Sequence, residues 1–272
     1  MDRNIILITS AIIAVLAVVA AGTGLLSDDL YKNDTKSGAA QLKGSDLITL
    51  VLCVPLLLVS AYYAAKDSLR GRLIWTGTVF FFLYTYASLA FLAAYNQYFL
   101  IYVALFSTSL FTFATSLITL DVERVKESFA GVPVKVTAYF MYFIGIMVSI
   151  MWLGIIVGSL IAGERPAMLE TYTTLVIQAL DLGVVVPLAV LTGTLLLKKN
   201  AWGYALASIV LIKGITLGTA VLSMVLFMYL NGVEVVIPQV ALFVLLVAGC
   251  VALTAGFYGK MKTSVTAVSA AA

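Results

Sequence analysis

Apolar residues follow one another along this chain in eight long runs, and most polar residues lie in the short segments between them. The runs cover residues 5–26, 46–65, 73–95, 97–120, 134–162, 172–197, 200–230 and 236–259. A helix needs about 20 apolar residues to cross the hydrocarbon layer of a bilayer. The pattern therefore predicts about eight transmembrane helices, spans 1 to 8, in an all-α polytopic membrane bundle.

The connections between spans are short, and the two longest, 27–45 and 121–133, are too small to hold a soluble domain. We therefore expect residues 1–262 to form a single transmembrane helical domain and the small, polar residues 263–272 to form a disordered C-terminal tail. Span 1 could also be a signal sequence, but it is long for one and lacks a convincing cleavage motif. Spans 1–4 and 5–8 share no motif that aligns by inspection, so no internal repeat is predicted.

Basic residues alternate between the two sides that eight spans define. One side, with both termini, holds Arg3, Lys66, Arg70, Arg72, Arg124, Lys126, Lys135, Lys198, Lys199, Lys260 and Lys262; the other holds Lys32, Lys36, Lys43 and Arg165. Basic residues accumulate in cytoplasmic connections, so this distribution predicts that both termini are cytoplasmic. The opposite side carries Asp28, Asp29, Asp34, Asp46, Glu164, Glu170 and Glu234, which we expect to form a solvated outer rim.

The amino-acid composition excludes several classes of protein and several kinds of catalytic or metal site. The chain is 62% apolar and 11% charged, against about 45–50% and about 25% in soluble domains. An ordinary soluble enzyme or nucleic-acid-binding domain is thereby excluded, and the lipid bilayer is the implied partner. The chain has no histidine, which excludes His-ligated haem or zinc and His-dependent nucleophilic catalysis. Cys53 and Cys250 are expected to be buried free thiols, and we predict no catalytic residue, metal site or cofactor.

Two ionisable residues lie deep inside apolar runs: Asp181 in span 6 and Lys213 in span 7. Each costs at least about 2.5–3.5 kcal/mol to insert at a helix centre. At 1.5 Å per residue, Asp181 lies roughly 24 Å and Lys213 roughly 20 Å above the inner ends of two antiparallel, adjacent spans. We therefore expect a buried Asp–Lys pair in the outer half of the bilayer. It could fix the helix register, bind a proton, ion or polar ligand, or fail to form.

The neighbours of this pair form a polar stripe. Gln178 precedes Asp181 by one turn, and Thr216 follows Lys213 by one turn. Pro187 could kink span 6, as Pro55 could kink span 2, because proline frees a backbone carbonyl. Gly214 and Gly218 leave a small ridge where another helix could approach, so oligomerisation through them is possible.

Spans 3 and 4 are rich in aromatic residues. Most of them fit an interfacial belt or lipid contact, which is typical of tyrosine near the ends of a span. Tyr84 of span 3 and Tyr102 of span 4 instead share helix faces with serine, and they are candidates for an aromatic-lined ligand pocket.

Three segments resemble a known group of sequences. They are Ser68-Leu69-Arg70-Gly71-Arg72-Leu73, Tyr84-Thr85-Tyr86-Ala87-Ser88, and Tyr102-Val103-Ala104-Leu105-Phe106-Ser107 with Ser109-Leu110. They are similar to an uncharacterised family of small polytopic membrane proteins of bacteria and archaea, mainly over 69–113. The resemblance implies a multi-pass protein of the prokaryotic plasma (inner) membrane, and it transfers no activity or site residue.

These observations favour a small transporter or ligand-binding membrane protein. Its ligand or ion site would draw on Asp181, Lys213, Gln178, Thr216, Tyr84 and Tyr102, with Asp181 responding to a proton or cation and Lys213 as its partner or as an anchor for an anion. The alternative is a non-catalytic sensor or scaffold subunit that acts through helix–helix contacts. A lesser alternative is a lipid-modifying enzyme that uses the polar segments 66–72 and 121–126.

Overall fold

The computed structural model describes residues 1–262, and within this range all regular elements are helical. The helices are α1 (Arg3–Leu26), α2 (Lys36–Ala64), α3 (Leu69–Leu92), α4 (Phe99–Ile118), α5 (Val122–Ser128), α6 (Lys135–Ala162), α7 (Val176–Leu197), α8 (Ala201–Leu230) and α9 (Ile237–Gly259). All except the short α5 are long and apolar enough to cross a membrane. The prediction of an all-α polytopic bundle with eight spans is confirmed, and the tail predicted over 263–272 lies outside the described residues.

Two helix boundaries differ from the hydrophobic pattern because side-chain caps start helices in polar sequence. α2 begins at Lys36 rather than at residue 46, since the Thr35 side chain accepts a hydrogen bond from the Gly38 amide at 3.0 Å. Such a cap satisfies an amide that the first helical turn leaves free. Asp121 caps α5 in the same way, through the Arg124 amide at 3.0 Å. The segment 36–45 therefore extends span 2 outward as a polar helix.

α3 and α8 form the centre of the bundle. They pack against each other; α3 also contacts α2 and α4, and α8 also contacts α2, α7 and α9. The large side chains of Trp75, Phe81 and Phe82 in α3 are fully buried. The peripheral helices leave many large apolar side chains exposed, as expected of surfaces that face lipid.

α2 and α7 each contain one π-helical turn, at Thr49–Cys53 and at Asp181–Val185. Pro55 and Pro187 follow these turns by two residues. A proline inside a helix removes one amide donor and crowds the carbonyl four residues earlier. The wider π turn accommodates this conflict without ending the helix. Each proline thus follows a π turn, and the kink at Pro55 and Pro187 stays a prediction.

The two halves of the chain repeat the same sequence of backbone features, each 132 residues later. The π turn recurs from 49 to 181, the proline from 55 to 187, and a residue with positive φ from Asp67 (62°) to Lys199 (52°). The cap of the next helix recurs from Ser68 to Asn200. The glycine that lets this helix approach the end of the preceding one recurs from Gly71 to Gly203.

The helix contacts repeat as well: α2 packs against α8, as α7 packs against α3. Equivalent helices are four spans apart, so the two halves have the same orientation across the membrane and form a parallel repeat. The structure thus reveals a repeat that inspection of the sequence did not. The halves differ in one respect: α1 packs along α4, whereas α6 and α9 touch at few positions. They leave an apolar groove of about 410 Å³ lined by Phe143, Ile146, Met147, Ile150, Met151 and Leu242.

Both termini of the described chain lie at one end of the bundle, which we call the terminal end. Arg70, at the start of α3, donates to the carbonyl of Met261 at 2.8 Å, and the Lys262 amide donates to the carbonyl of Ser128 at 2.8 Å. The opposite end, which we call the far end, holds the connections 27–35, 93–98, 163–175 and 231–236.

Candidate functional site

The carboxylate of Asp181 lies between α3, α6 and α7. It is the first residue of the π turn in α7 and is half-buried. The Tyr84 hydroxyl donates to its Oδ1 at 2.7 Å, and the Trp152 indole Nε1 donates to its Oδ2 at 2.8 Å. Both donors belong to side chains less than 10% exposed. Two hydrogen bonds from buried donors hold the carboxylate in place and offset part of the cost of removing it from water.

The ammonium of Lys213 lies on the other side of Tyr84. Its side chain extends from α8 and is 4% exposed. The Nζ is 4.1 Å from the ring centroid of Tyr84 and 5.2 Å from that of Phe80. The electron-rich ring faces attract the cation. Among residues 1–262 no hydrogen-bond acceptor is found for this Nζ.

The expected direct pair between Asp181 and Lys213 does not form. Their charged atoms are farther apart than the 4.0 Å of an ion pair, and the ion pairs found in the described chain join Lys32 to Asp29 and Lys43 to Asp28. The two groups do lie at one level of the bundle, as their depths predict. The ring of Tyr84 intervenes, because the depth argument fixes the height of each group and not the direction in which its side chain points.

Gln178 and Thr216 lie one turn from Asp181 and Lys213, but their side chains bond neither the carboxylate nor the ammonium. Gln178 is buried, and its amide contacts the sulfur of Met168 at 3.5 Å. Thr216 donates its hydroxyl to carbonyls of its own helix, at Ile212 (3.0 Å) and Lys213 (3.1 Å). The hydroxyl hydrogen of Thr216 is therefore bonded within α8, and the hydroxyl can only accept a further hydrogen bond.

Tyr102 lies in a different cluster, around Asp46. The Asp46 side chain is 4% exposed and accepts a hydrogen bond from the Tyr31 hydroxyl at 2.7 Å. Tyr86 and Tyr102 stack with ring centroids 6.4 Å apart, and both lie near the Asp46 carboxyl group. The expectation that Asp46 belongs to a solvated rim is wrong. The residue follows a polar segment in the sequence, but that segment is helical, and the fold covers the side chain.

Two further acids of the expected rim have defined partners. Asp34 is half-buried, and its Oδ1 accepts from the Ala94 amide at 2.9 Å and from the Tyr172 hydroxyl at 3.1 Å. Burial raises the pKa of Asp34, and these two hydrogen bonds counteract the rise. Burial and the charge of Asp34 raise the pKa of Tyr172 to about 12. Asp28 is exposed, and the ammonium of Lys43 lowers its pKa.

The small-residue ridge on α8 is occupied within the chain. A Cβ at Gly214 would lie 2.6 Å from the sulfur of Cys250, and one at Gly218 would lie 2.5 Å from a methyl group of Val247. Both neighbours belong to α9. The glycines thus allow close packing, but the partner is the last helix of the same chain.

Two basic residues of the terminal end are also engaged in the fold. Arg72 donates to the Ser116 carbonyl at 3.3 Å and to the Thr119 hydroxyl at 2.8 Å. Arg70 donates to Met261, as described above. These contacts tie α3 to the end of α4 and to the segment that follows α9. The two arginines that a lipid-modifying site would use are therefore already bonded to the protein.

The comparisons give no relative for this chain. No protein-family model matches it, and neither curated proteins nor solved structures give a match. Among residues 1–262, no cluster of three or more Cys, Asp or Glu side chains that could hold a metal ion is found. The eight long apolar helices found within residues 1–262 make the protein an integral, multi-pass membrane protein.

Proposed function

We propose that this protein is a small transporter or ligand-binding protein of a prokaryotic plasma membrane, and that it takes a small anion at Lys213. The resemblance of residues 69–113 to bacterial and archaeal membrane proteins supports the location. The polar site between α3, α6, α7 and α8 supports the function.

The observation that carries the proposal is the unsatisfied ammonium of Lys213. A lysine carries three donors and no acceptor. In this bundle the Nζ faces two aromatic rings and has no acceptor among the described residues. Intramembrane charges of this kind mark ligand and ion pathways. An anionic oxygen or a halide beside the Nζ would supply the missing partner.

Asp181 gives the site a second, opposite charge. The negative Asp181 carboxylate would repel an anion bound at Lys213, because only the ring of Tyr84 separates the two positions. It therefore weakens the attraction of the Lys213 site for an anion. Protonation of Asp181 would remove this repulsion. Anion binding at Lys213 is thereby linked to proton uptake at Asp181, which is the coupling that a proton-linked transporter needs.

The sensor or scaffold function predicted from Gly214 and Gly218 has less support. Side chains of α9 cover both glycines, so neither is free to meet a second chain.

The binding step can be tested by thermal unfolding of the purified protein in lipid nanodiscs. Chloride, acetate and phosphate are added separately at matched ionic strength, because a ligand that binds only the folded state raises the midpoint. We expect at least one of these anions to stabilise the wild type and Lys213→Met to abolish the shift. Asp181→Asn should enlarge the shift, because it removes the repelling charge.

Lys36→Met is the matched control, since Lys36 is an exposed lysine at the far end. It should respond to the anion as the wild type does. The proposal is wrong if Lys213→Met keeps the full shift, or if none of the three anions stabilises the wild type. The anion that stabilises the protein then serves as the probe for uptake into proteoliposomes.

A further inference from the structure

The N-terminal half contains a second buried carboxylate, Asp46, with a different environment from Asp181. Its Oδ2 accepts from Tyr31, and the backbone of α1 closes over this contact. A Cβ at Gly24 would collide with Oδ2 of Asp46 and with the Tyr31 hydroxyl. The carboxyl group is therefore enclosed by α1, by the connection that follows it, and by α2 itself.

Among residues 1–262, Asp46 has no ion-pair partner within 4.0 Å. Tyr31 approaches from the connection 27–35, Tyr86 from α3 and Tyr102 from α4. α8 packs against α2 at Gly44 through Ser223 and Met224, which do not titrate. The nearest cation, Lys43, lies on α2 and is paired with Asp28. An ionised carboxylate in such a site would keep one hydrogen bond and only the charge of Lys43, which Asp28 partly neutralises, and this is strongly unfavourable.

One more polar group in this cluster lacks a partner. The hydroxyl of Tyr102 is buried, lies next to the side chains of Tyr31 and Asn96, and completes no hydrogen bond with a described residue. Asn96 belongs to the connection between α3 and α4 at the far end. Asn96, Tyr102 and Tyr31 thus form a line of polar groups from that end to Asp46. A tyrosine hydroxyl both donates and accepts hydrogen bonds, so Tyr102 and Tyr31 can relay a proton toward Asp46, with the Asn96 amide as their polar neighbour at the far end.

The repeat places the two acids at related positions. Asp181 is the first residue of its π turn, and Asp46 lies three residues before the corresponding turn at Thr49–Cys53. Residues three apart lie on one face of a helix. Each acid also accepts from a tyrosine hydroxyl, Tyr31 in one half and Tyr84 in the other. At the 132-residue offset Asp46 corresponds to Gln178 and Asp181 to Thr49, so the two acids lie one turn apart on corresponding helix faces rather than at the same position.

We infer that Asp46 is a proton-binding site, held as the neutral carboxylic acid at neutral pH and connected to the far end through Tyr31, Tyr102 and Asn96. The inference does not depend on the proposed anion site, because it involves other residues and a different measurement.

Infrared spectroscopy of the purified full-length protein in nanodiscs tests this inference. A neutral carboxylic acid has a C=O stretch well separated from the carboxylate bands. At neutral pH we expect the wild type to show such a band, and Asp46→Asn to lose it. Asp34→Asn is the matched control: Asp34 is a half-buried acid of the same end, and its removal should leave the band unchanged. Tyr31→Phe keeps the acid but removes its donor, so the band should move to higher frequency.

The inference is overturned if Asp46→Asn retains the whole band, or if Tyr31→Phe leaves its frequency unchanged. If Asp46→Asn fails to fold, the band frequency of Tyr31→Phe still tests the inference. Sodium, potassium and choline chloride are compared to separate a proton from a metal cation. A band that is the same in all three salts supports a proton, whereas a band that sodium or potassium converts to carboxylate shows a cation site and contradicts the inference.

Discussion

At the scale of single residues, Tyr84 is the side chain that contacts both charged groups of the candidate site. Its hydroxyl donates to Asp181, and its ring faces the ammonium of Lys213. A direct ion pair would have used the donors of the lysine. The intervening ring stabilises the cation without accepting a conventional hydrogen bond, so the Nζ keeps its donors for a ligand.

Substitutions at Tyr84 should separate these two contacts. Tyr84→Phe removes the donor to Asp181 and should lower the free energy of unfolding by about 1.5–3 kcal/mol, as expected for a hydrogen bond to a charged group. Tyr84→Leu also removes the ring and should cost more. In double-mutant cycles with Lys213→Met, Tyr84→Leu should show a coupling of about 0.5–2 kcal/mol and Tyr84→Phe a smaller one. Equal couplings would mean that the ring is not the contact that stabilises Lys213.

The sequence reveals Asp181 and Lys213, because charged groups inside apolar runs are costly and therefore conspicuous, and it indicates Tyr84 because Ser88 shares its helix face. It conceals Asp46 and Trp152 for different reasons. Asp46 stands at the junction of a polar and an apolar segment, where burial depends on the loop and helices that cover it. Trp152 is one of many large side chains in span 5, and only the fold shows that its indole points at Asp181.

At the scale of helices, glycine sets the distance between consecutive spans in both halves. A Cβ at Gly71 would lie 2.6 Å from Cβ of Tyr63, and one at Gly203 would lie 2.5 Å from the carbonyl carbon of Leu195. Backbone atoms cannot move aside as a flexible side chain can. Hydropathy does not report such contacts, so the sequence predicted the spans but not how closely they approach.

Alanine at either glycine should therefore destabilise the bundle. We expect Gly71→Ala and Gly203→Ala to lower the free energy of unfolding by about 1–3 kcal/mol, the usual cost of overpacking. Gly22 is the matched control, because no atom lies within 4 Å of its added Cβ. Gly22→Ala should raise stability by about 0.5–1 kcal/mol through helix propensity. Reversible unfolding in detergent micelles provides the comparison; a stabilised Gly203→Ala would contradict the close approach of α7 and α8.

At the scale of the whole molecule, the two halves share backbone features more than side chains. The π turn, proline, cap and close glycine recur at a constant offset. The side chains at the same offset differ, with Phe81 matching Lys213 and Tyr84 matching Thr216. A backbone can be preserved by a few capping and turn residues while lipid-facing and core positions change. This explains why hydropathy predicts eight spans but does not expose the repeat.

Orientation in the membrane gives the last prediction, since basic residues are concentrated at the terminal end. Lys66 lies at this end, Lys36 lies at the far end, and both are exposed. Each is replaced separately by cysteine, and intact cells are treated with a membrane-impermeant maleimide. We expect Lys36→Cys to be labelled directly and Lys66→Cys only after permeabilisation, because basic connections remain in the cytoplasm. The wild type should stay unlabelled, since Cys53 and Cys250 are fully buried. The reverse pattern would place both termini outside, and labelling of both variants from one side would contradict the eight-span topology.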